Sequence, residues 1–169
     1  MSQEREVKGI LQSLNKTPAE LEKRLAYLEK AEYSKLNYYA AIYLAVGQIL
    51  DTTAGLTIIP SMTSTYLKGF TLASSTLTCT EAGMYVLNYS MSISTAVSTA
   101  LISFVVKTGV FAPGSYMQLN AAASAISVLS APLIVSLEVG DTISLMVDST
   151  PNNIVVSQAS LVLNRVGDN

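Results

Sequence analysis

The segment from Glu81 to Ile93 constrains the fold more than any other part of the chain. After the turn-forming pair Ala82-Gly83, large apolar side chains occupy every second position, and Asn88, Ser90 and Ser92 lie between them. A repeat of two residues is typical of a β-strand with one buried face, and aromatic and β-branched residues favour strands. The sequence therefore predicts a long strand here. Its alternating apolar residues are Tyr85, Leu87, Tyr89, Met91 and Ile93.

Charged residues divide the chain into two unlike parts. Residues 1–35 hold 13 of the 22 charged side chains, which leaves nine for the following 134 residues. A body with so few charges needs hydroxyl and amide side chains to stay soluble, or it covers much of its surface with copies of itself. We predict a helical stalk or anchor at 1–35 and a β domain at 36–169.

Two short helices are predicted in the N-terminal segment. Thr17-Pro18-Ala19-Glu20 has the pattern of a capping box, so a second helix begins at Pro18 and the break between the helices lies near Thr17-Pro18. A stripe of apolar residues follows both helices. It packs either on its own domain or in a short parallel bundle of several subunits, and we favour the bundle. The stripe consists of Val7, Leu11, Leu14, Leu21, Leu25 and Leu28.

Short apolar stretches separated by turn residues fill the rest of the chain. They predict about eight to ten antiparallel strands and therefore an all-β sandwich. The first strand is expected at 38–46. A later strand over 124–137 is expected to bend or divide at Ala131-Pro132, because proline disrupts strand pairing. The segments 108–114 and 148–153 are expected to be distal loops.

The last strand carries apolar residues on both faces. A sandwich of two sheets buries only one face of each sheet, so the second face needs another partner, and a contact between subunits is the simplest choice. The alternation groups Val155, Ala159, Leu161 and Leu163 on one face and Ile154, Val156 and Val162 on the other. The residues expected in the core or in this contact are Tyr85, Leu87, Tyr89, Met91, Ile93, Leu161 and Leu163.

Three motifs, spread over roughly residues 40–166, resemble one known family. They are Ala-Gly-x-Tyr-x-x-x-Tyr-Ser-x-Ser at 82–92, the turn Glu138-Val139-Gly140-Asp141 before a strand, and Ala159-Ser160-Leu161-Val162-Leu163-Asn164-Arg165 in the last strand. Together they resemble the complement globular-head and tumour-necrosis-factor-like jelly rolls. The bacterial and phage branch is most similar, namely C-terminal domains of spore-surface collagen-like glycoproteins and related phage structural proteins. The resemblance implies a jelly-roll sandwich that assembles as a homotrimer.

The sequence lacks the residues of most enzyme sites. It contains no histidine, which excludes Ser-His-Asp and Cys-His nucleophiles and removes the commonest transition-metal ligand. Cys79 is the only cysteine and is expected to be a small buried residue. The sparse acids and isolated glycines predict neither a catalytic carboxylate pair nor a phosphate-binding loop. We predict no enzyme activity, no cofactor and no metal site. The calcium that the resemblance suggests, near Asp141 or Asp148, is left open.

Composition also bears on partners and location. A net charge of −2 without a long basic run predicts no nucleic-acid partner. The longest apolar runs are short or interrupted, so no membrane insertion is expected, and charged residues near the N-terminus argue against a signal peptide.

These observations predict a non-enzymatic homotrimeric structural protein with an N-terminal helical anchor. The resemblance suggests a phage virion component, such as a head fibre, a decoration protein or a tail part. A bacterial spore-surface protein is the alternative, which the absence of a Gly-X-Y repeat weakens. A third hypothesis is a carbohydrate- or receptor-binding tip, with Phe111 and Tyr116 as contact residues.

Overall fold

The computed structural model describes residue 20 and residues 22–28, 37–52, 55–150 and 154–168, apart from the side chains of Phe104 and Thr150. The chain divides into two compact units, Met1–Lys35 and Leu36–Asn169. In the first unit, residues 20 and 22–28 are helical. The predicted first helix, the break at Thr17-Pro18 and four stripe residues (Val7, Leu11, Leu14 and Leu21) lie outside the described residues.

The second unit is a sandwich of two antiparallel sheets. Sheet A has the strand order β11-β7-β13-β1-β4, with β2 beside β13, and sheet B has the order β10-β8-β12-β6-β5, with β3 beside β12 and β9 beside β8. In chain order the strands are β1 (Tyr39–Leu44), β2 (Gln48–Leu50), β3 (Thr57–Ile58), β4 (Met62–Lys68), β5 (Phe70–Ala73), β6 (Thr76–Cys79), β7 (Gly83–Thr95), β8 (Thr99–Lys107), β9 (Val110–Phe111), β10 (Met117–Ala121), β11 (Ile126–Leu137), β12 (Thr142–Thr150) and β13 (Ile154–Gly167).

This architecture confirms the predicted all-β jelly-roll sandwich. The described residues form thirteen strands, more than the eight to ten expected, partly because β2, β3 and β9 are short additions beside longer strands. Strands β2, β4 and β9 were not predicted from the sequence, and β9 lies within the segment 108–114 that was expected to be a loop. Strand β4 lies at the edge of sheet A, and of its residues only Met62 is buried, so it lacks the apolar alternation that marks a strand with a buried face.

The predicted organising strand is confirmed as β7, which lies in sheet A between β11 and β13. Its odd-numbered residues are buried throughout, and its even-numbered residues are half-buried or exposed. The seven residues expected in the core or in a subunit contact all lie in the core between the sheets. They are Tyr85, Leu87, Tyr89, Met91, Ile93, Leu161 and Leu163.

A β-bulge in β13 overturns the predicted faces of the last strand. The register against β7 shifts between Val156 and Gln158, so one extra residue enters β13 there. Because such an insertion reverses the alternation, Ile154 and Val156 point into the core together with Leu161, while Val155 is exposed.

Of the two outcomes predicted at Ala131-Pro132, a bend or a division of the strand, the division does not occur. The strand is continuous over Ile126–Leu137, and Pro132 is paired with Asn88 of β7. Strand β11 is an edge of sheet A, where a missing backbone N–H on the open side leaves the pairing with β7 intact.

The predicted distal loop at 108–114 lies at a different end from the one expected. Thr108 and Gly109 form a tight turn with positive φ angles of 47° and 80°, which joins β8 to β9. Contacts join this turn to the point where the chain enters β1, so it does not lie at the opposite, distal end. They run from Thr108 Oγ1 to Asp141 Oδ1, from Cys79 N to Asp141 O, from Thr80 N to Gly69 O, and from Gly69 to the Tyr38 ring.

Candidate functional site

The outward face of sheet A has two apolar areas at opposite edges. Strands β1 and β4 form one edge and β11 forms the other, with β13 and β7 between them. Residues paired in register form rows across this face. One row runs through Tyr66, Ala41, Val162, Asn88 and Pro132, and the next runs through Lys68, Tyr39, Asn164, Val86 and Ile134.

The first area, which we call the tyrosine patch, consists of Tyr39, Tyr43 and Tyr66. The rings of Tyr39 and Tyr66 meet edge to face, with centroids 6.1 Å apart. Tyr66 is 62% exposed. Exposed tyrosines are typical of interfaces because each offers a large apolar ring with a polar end at a low entropic cost.

The second area, the β11 patch, consists of Ile126, Val128 and Ile134. All three are at least 60% exposed and lie on one face of β11. The twelve residues of this edge strand include no charged side chain. A long, uncharged and apolar edge strand is a site of uncontrolled pairing unless another surface covers it.

Small polar side chains separate the two patches. Ser90 and Ser92 of β7 and Gln158 and Ser160 of β13 line a shallow cavity of about 270 Å³ beside Tyr43. Because the three serine side chains are short, another surface can approach the middle of sheet A closely.

A cluster around Arg165 explains the Ala82-Gly83 motif at the start of β7. The Arg165 guanidinium donates to the Ala82 carbonyl at 2.8 Å, pairs with Asp168 at 2.6 Å, and lies over the Tyr38 ring. A Cβ atom on residue 83 would lie 2.3 Å from Nε of Arg165 and 2.8 Å from the carbonyl oxygen of residue 167. Glycine at position 83 therefore lets Arg165 fasten the last strand to the start of β7.

Tyr85 and Cys79 bind the same backbone carbonyl. The Tyr85 hydroxyl donates to the Glu81 oxygen at 2.6 Å, and the Cys79 thiol donates to it at 3.0 Å. Burial raises the pKa of both groups, so both stay protonated and neutral at physiological pH. The prediction that Cys79 is buried is confirmed. A buried neutral thiol of this kind is a packing residue rather than a nucleophile.

Asp141 connects the turn before β12 with the turn between β8 and β9, at the same end of the sandwich. Its carboxylate accepts from the Glu138 amide at 2.8 Å and from the Thr108 hydroxyl at 2.8 Å, and it pairs with Lys107 at 2.9 Å. The Glu138 hydrogen bond, with the help of Lys107 and Thr108, holds the pKa of Asp141 below its usual range. These bonds engage both carboxylate oxygens.

We expect Asp141→Asn to lower the free energy of unfolding at neutral pH by about 1–2 kcal/mol, because a charge-assisted set of hydrogen bonds is lost. A depressed pKa in the folded state means that the stabilisation is complete above the ordinary value of 3.8 and is lost as the pH falls through the folded pKa. Denaturant titrations across this range should therefore show the two proteins converging in acid. Glu81→Gln, at an exposed carboxyl of the same end, is the control; parallel curves for Asp141→Asn and the native chain would contradict the account.

The predicted contact residues lie in three different parts of the structure. The seven residues of β7 and β13 are core residues, so they are not available on the surface. Leu25 and Leu28 are each 57% exposed on the described helix. Phe111 and Tyr116 are about half exposed and lie on the side of β8 that carries β9 and β10, and a contact role for them stays a prediction.

The six residues of the two patches were missed by the sequence analysis. Tyr39 and Tyr43 lie within the first strand predicted at 38–46, and a spacing of four places them on one face of it. Ile126 and Val128 have the same kind of signal, since they alternate along β11.

Among the described residues, no three His, Cys, Asp or Glu side chains come together as metal ligands. Within the same part of the chain, every helix is too short or too polar to cross a membrane.

Comparisons with known proteins identify the fold. No family model matches the sequence, and no curated protein matches it. Murine APRIL matches with a TM-score of 0.57 and 11% identity, over 76% of this chain and 99% of that one. The globular domain of zebrafish complement 1qA matches with a TM-score of 0.51 and 12% identity, over 78% and 98%.

The β unit is a jelly roll of the tumour-necrosis-factor and complement C1q type. This result confirms the fold that the three sequence motifs implied. At this level of identity the jelly roll alone is shared, and membership of a bacterial or phage branch stays a prediction.

Proposed function

We propose that this chain is a non-enzymatic structural protein that assembles as a homotrimer through the outward face of sheet A. The observation that carries the proposal is the pair of exposed apolar patches at opposite edges of that face. Large exposed apolar areas on a protein surface mark interaction sites. The lack of histidine and of clustered ligands in the described part of the chain supports a structural role.

The two patches favour a ring over a two-fold dimer. In a two-fold contact both patches lie in one shared interface, where residue i of one copy meets residue j of the other and j meets i, whereas in a ring each patch lies in a different contact. Patches at opposite edges of the face suit the ring, because each edge then contacts a different copy. Aromatic rings at one edge and branched aliphatic side chains at the other are different in shape, and they suit each other because rings pack well on β-branched residues. The family resemblance implies three copies in the ring.

The tyrosine patch of one copy would then cover the β11 patch of the next. This arrangement removes the uncharged β11 edge from solvent. The short side chains of Ser90, Ser92 and Ser160 allow the two copies to come close in the middle of the face.

We propose further that the N-terminal helices attach the trimer to a larger assembly, in particular a phage virion. Leu25 and Leu28, both on the described helix, are exposed in the isolated chain and thus free to meet apolar residues of other chains. A spore surface layer is the alternative home, and the chain lacks the Gly-X-Y repeat of the collagen-like spore proteins.

Cysteine cross-linking tests the ring directly. The native chain has one cysteine, Cys79, which is buried, so introduced surface thiols can be modified selectively. We expect a double variant with Tyr66→Cys and Val128→Cys to form covalent trimers with a short bismaleimide. Each single variant should remain uncross-linked, because in a ring each patch meets the other patch and not itself. Covalent dimers as the end product, from the double variant or from a single variant, would point to a two-fold contact and overturn the ring.

A further inference from the structure

The outward face of sheet B contains a trough that the proposed trimer does not use. Its volume is about 420 Å³, within the size range of small-molecule sites. It is lined by residues of β3, β6, β8, β9 and β12 and by residues next to these strands.

The trough arises from a step in side-chain size across four strands. Residues in register form a row from Phe111 through Val106 and Ser144 to Thr76. The row falls from an aromatic ring to a small hydroxyl at Ser144, which leaves a depression in the middle of the sheet. Ile58, paired with Met146, stands on the far side of it. Phe111 and Ile58 are thus two walls of the trough.

The trough has no charged lining residue, although charged residues adjoin two of its members in sequence. Lys107 follows Val106, and Asp141 precedes Thr142. These two are paired with each other at 2.9 Å, and Lys107 also donates to a carbonyl of sheet A, so both are engaged away from the trough. A charged group inside the trough would lose its hydration without gaining a partner of opposite charge, so the lining favours an uncharged occupant.

Hydroxyl groups mark one side of the trough. Thr76, Thr142 and Ser144 lie on the neighbouring strands β6 and β12, whereas the other walls are apolar. Such a distribution suits a molecule with an apolar body and one or two oxygen atoms. It does not suit a glycan, which needs polar partners all along its edge and not only at one side.

We propose that this trough binds an uncharged, mainly apolar small molecule that carries an alcohol, ether or carbonyl oxygen. The apolar body lies against Phe111, Val106, Met146 and Ile58, and the oxygen faces the hydroxyls of Thr76, Thr142 and Ser144. The site needs residues of one chain only, so it stands or falls independently of the trimer.

Two fluorescent probes of similar shape test whether the trough binds an apolar ligand and whether it disfavours a negative charge. Phenylnaphthylamine is uncharged, and anilinonaphthalene sulfonate has nearly the same apolar body with an added anionic group. Fluorescence titration of the full chain should show saturable binding of the neutral probe and binding at least about tenfold weaker for the sulfonate. Equal affinity for the two probes would contradict an uncharged site.

Phe111→Ala and Tyr116→Ala form a matched pair of variants. The two aromatic residues are 50% and 51% exposed, but only Phe111 lines the trough. We expect Phe111→Ala to lower the affinity for the neutral probe by about tenfold or more, because one aromatic wall of the trough is removed. Tyr116→Ala should change the affinity by less than about twofold.

Ser144→Leu provides a test that adds volume instead of removing it. A leucine at the floor fills the depression and should abolish saturable binding, provided that the thermal unfolding midpoint shows a folded protein. Should this variant misfold, Thr76→Val tests the hydroxyl side without changing the volume and should weaken an alcohol competitor, decanol, more than decane. Unchanged binding in Phe111→Ala, or equal effects of Phe111→Ala and Tyr116→Ala, would overturn the proposal.

Discussion

Replacement of Tyr85 with alanine is expected to destabilise the β unit by about 3–5 kcal/mol, the usual cost of removing a buried aromatic ring. Tyr85 is completely buried, and its ring meets the Phe70 ring edge to face at a centroid distance of 5.2 Å. A domain of this size has about 5–15 kcal/mol of stability in total, so a large part of it is lost. Chemical denaturation followed by tyrosine fluorescence or circular dichroism measures the change.

Two further variants show how much of this loss comes from the hydroxyl group and how much depends on the ring being buried. Tyr85→Phe keeps the ring and loses one hydrogen bond, and the Glu81 carbonyl still accepts from the Cys79 thiol. It should cost about 0.5–1.5 kcal/mol. Tyr116→Ala, at a half-exposed tyrosine, should cost less than about 1 kcal/mol. If Tyr85→Ala were no more harmful than Tyr116→Ala, Tyr85 would not be the central residue of this core.

Lysine in the β11 patch is expected to dissociate the assembly without unfolding the chain. Val128 and Ile134 are 60% and 63% exposed in the isolated chain, so lysine at either position is tolerated by a single folded copy. In the trimer, the same ammonium group would be buried against the tyrosine patch of the next copy. An uncompensated buried charge costs about 3–5 kcal/mol at each contact, and a ring of three has three contacts.

The control for this prediction is lysine at an exposed aliphatic residue outside both patches. Val139 is 68% exposed and lies in the turn before β12. We expect Val128→Lys and Ile134→Lys to elute with the mass of one chain and Val139→Lys to elute with the native mass. Native mass for all three variants would show that the β11 patch is not in the contact.

Much of the fold was predictable because the core strands carry strong local signals. The alternation of Tyr85, Leu87 and Tyr89 identified β7, and turn residues marked most other strands. The errors occur where tertiary context decides. An exposed edge strand such as β4 has little apolar pattern, and the β-bulge near Ser157 reverses the alternation without a signature in the residues around it.

The candidate site was harder to predict than the core, for a physical reason. An apolar residue in an alternating strand is assigned to the core by default, yet the patch residues belong to the opposite face. Only the strand order shows that Tyr66 and Ile134 lie at the two edges of one sheet. The trough on sheet B was hard to predict for the same reason. Phe111, Ser144 and Ile58 are far apart in sequence, and only the strand register brings them together.

The most direct test of the account is the mass of the unmodified chain in solution, measured by light scattering on a size-exclusion column at micromolar concentration. We predict a mass of about 54 kDa, three times the 18.0 kDa of one chain. A mass of 18.0 kDa would contradict the proposal that copies of the chain cover the outward face of sheet A. A mass of two chains would retain self-association but contradict the three-membered ring.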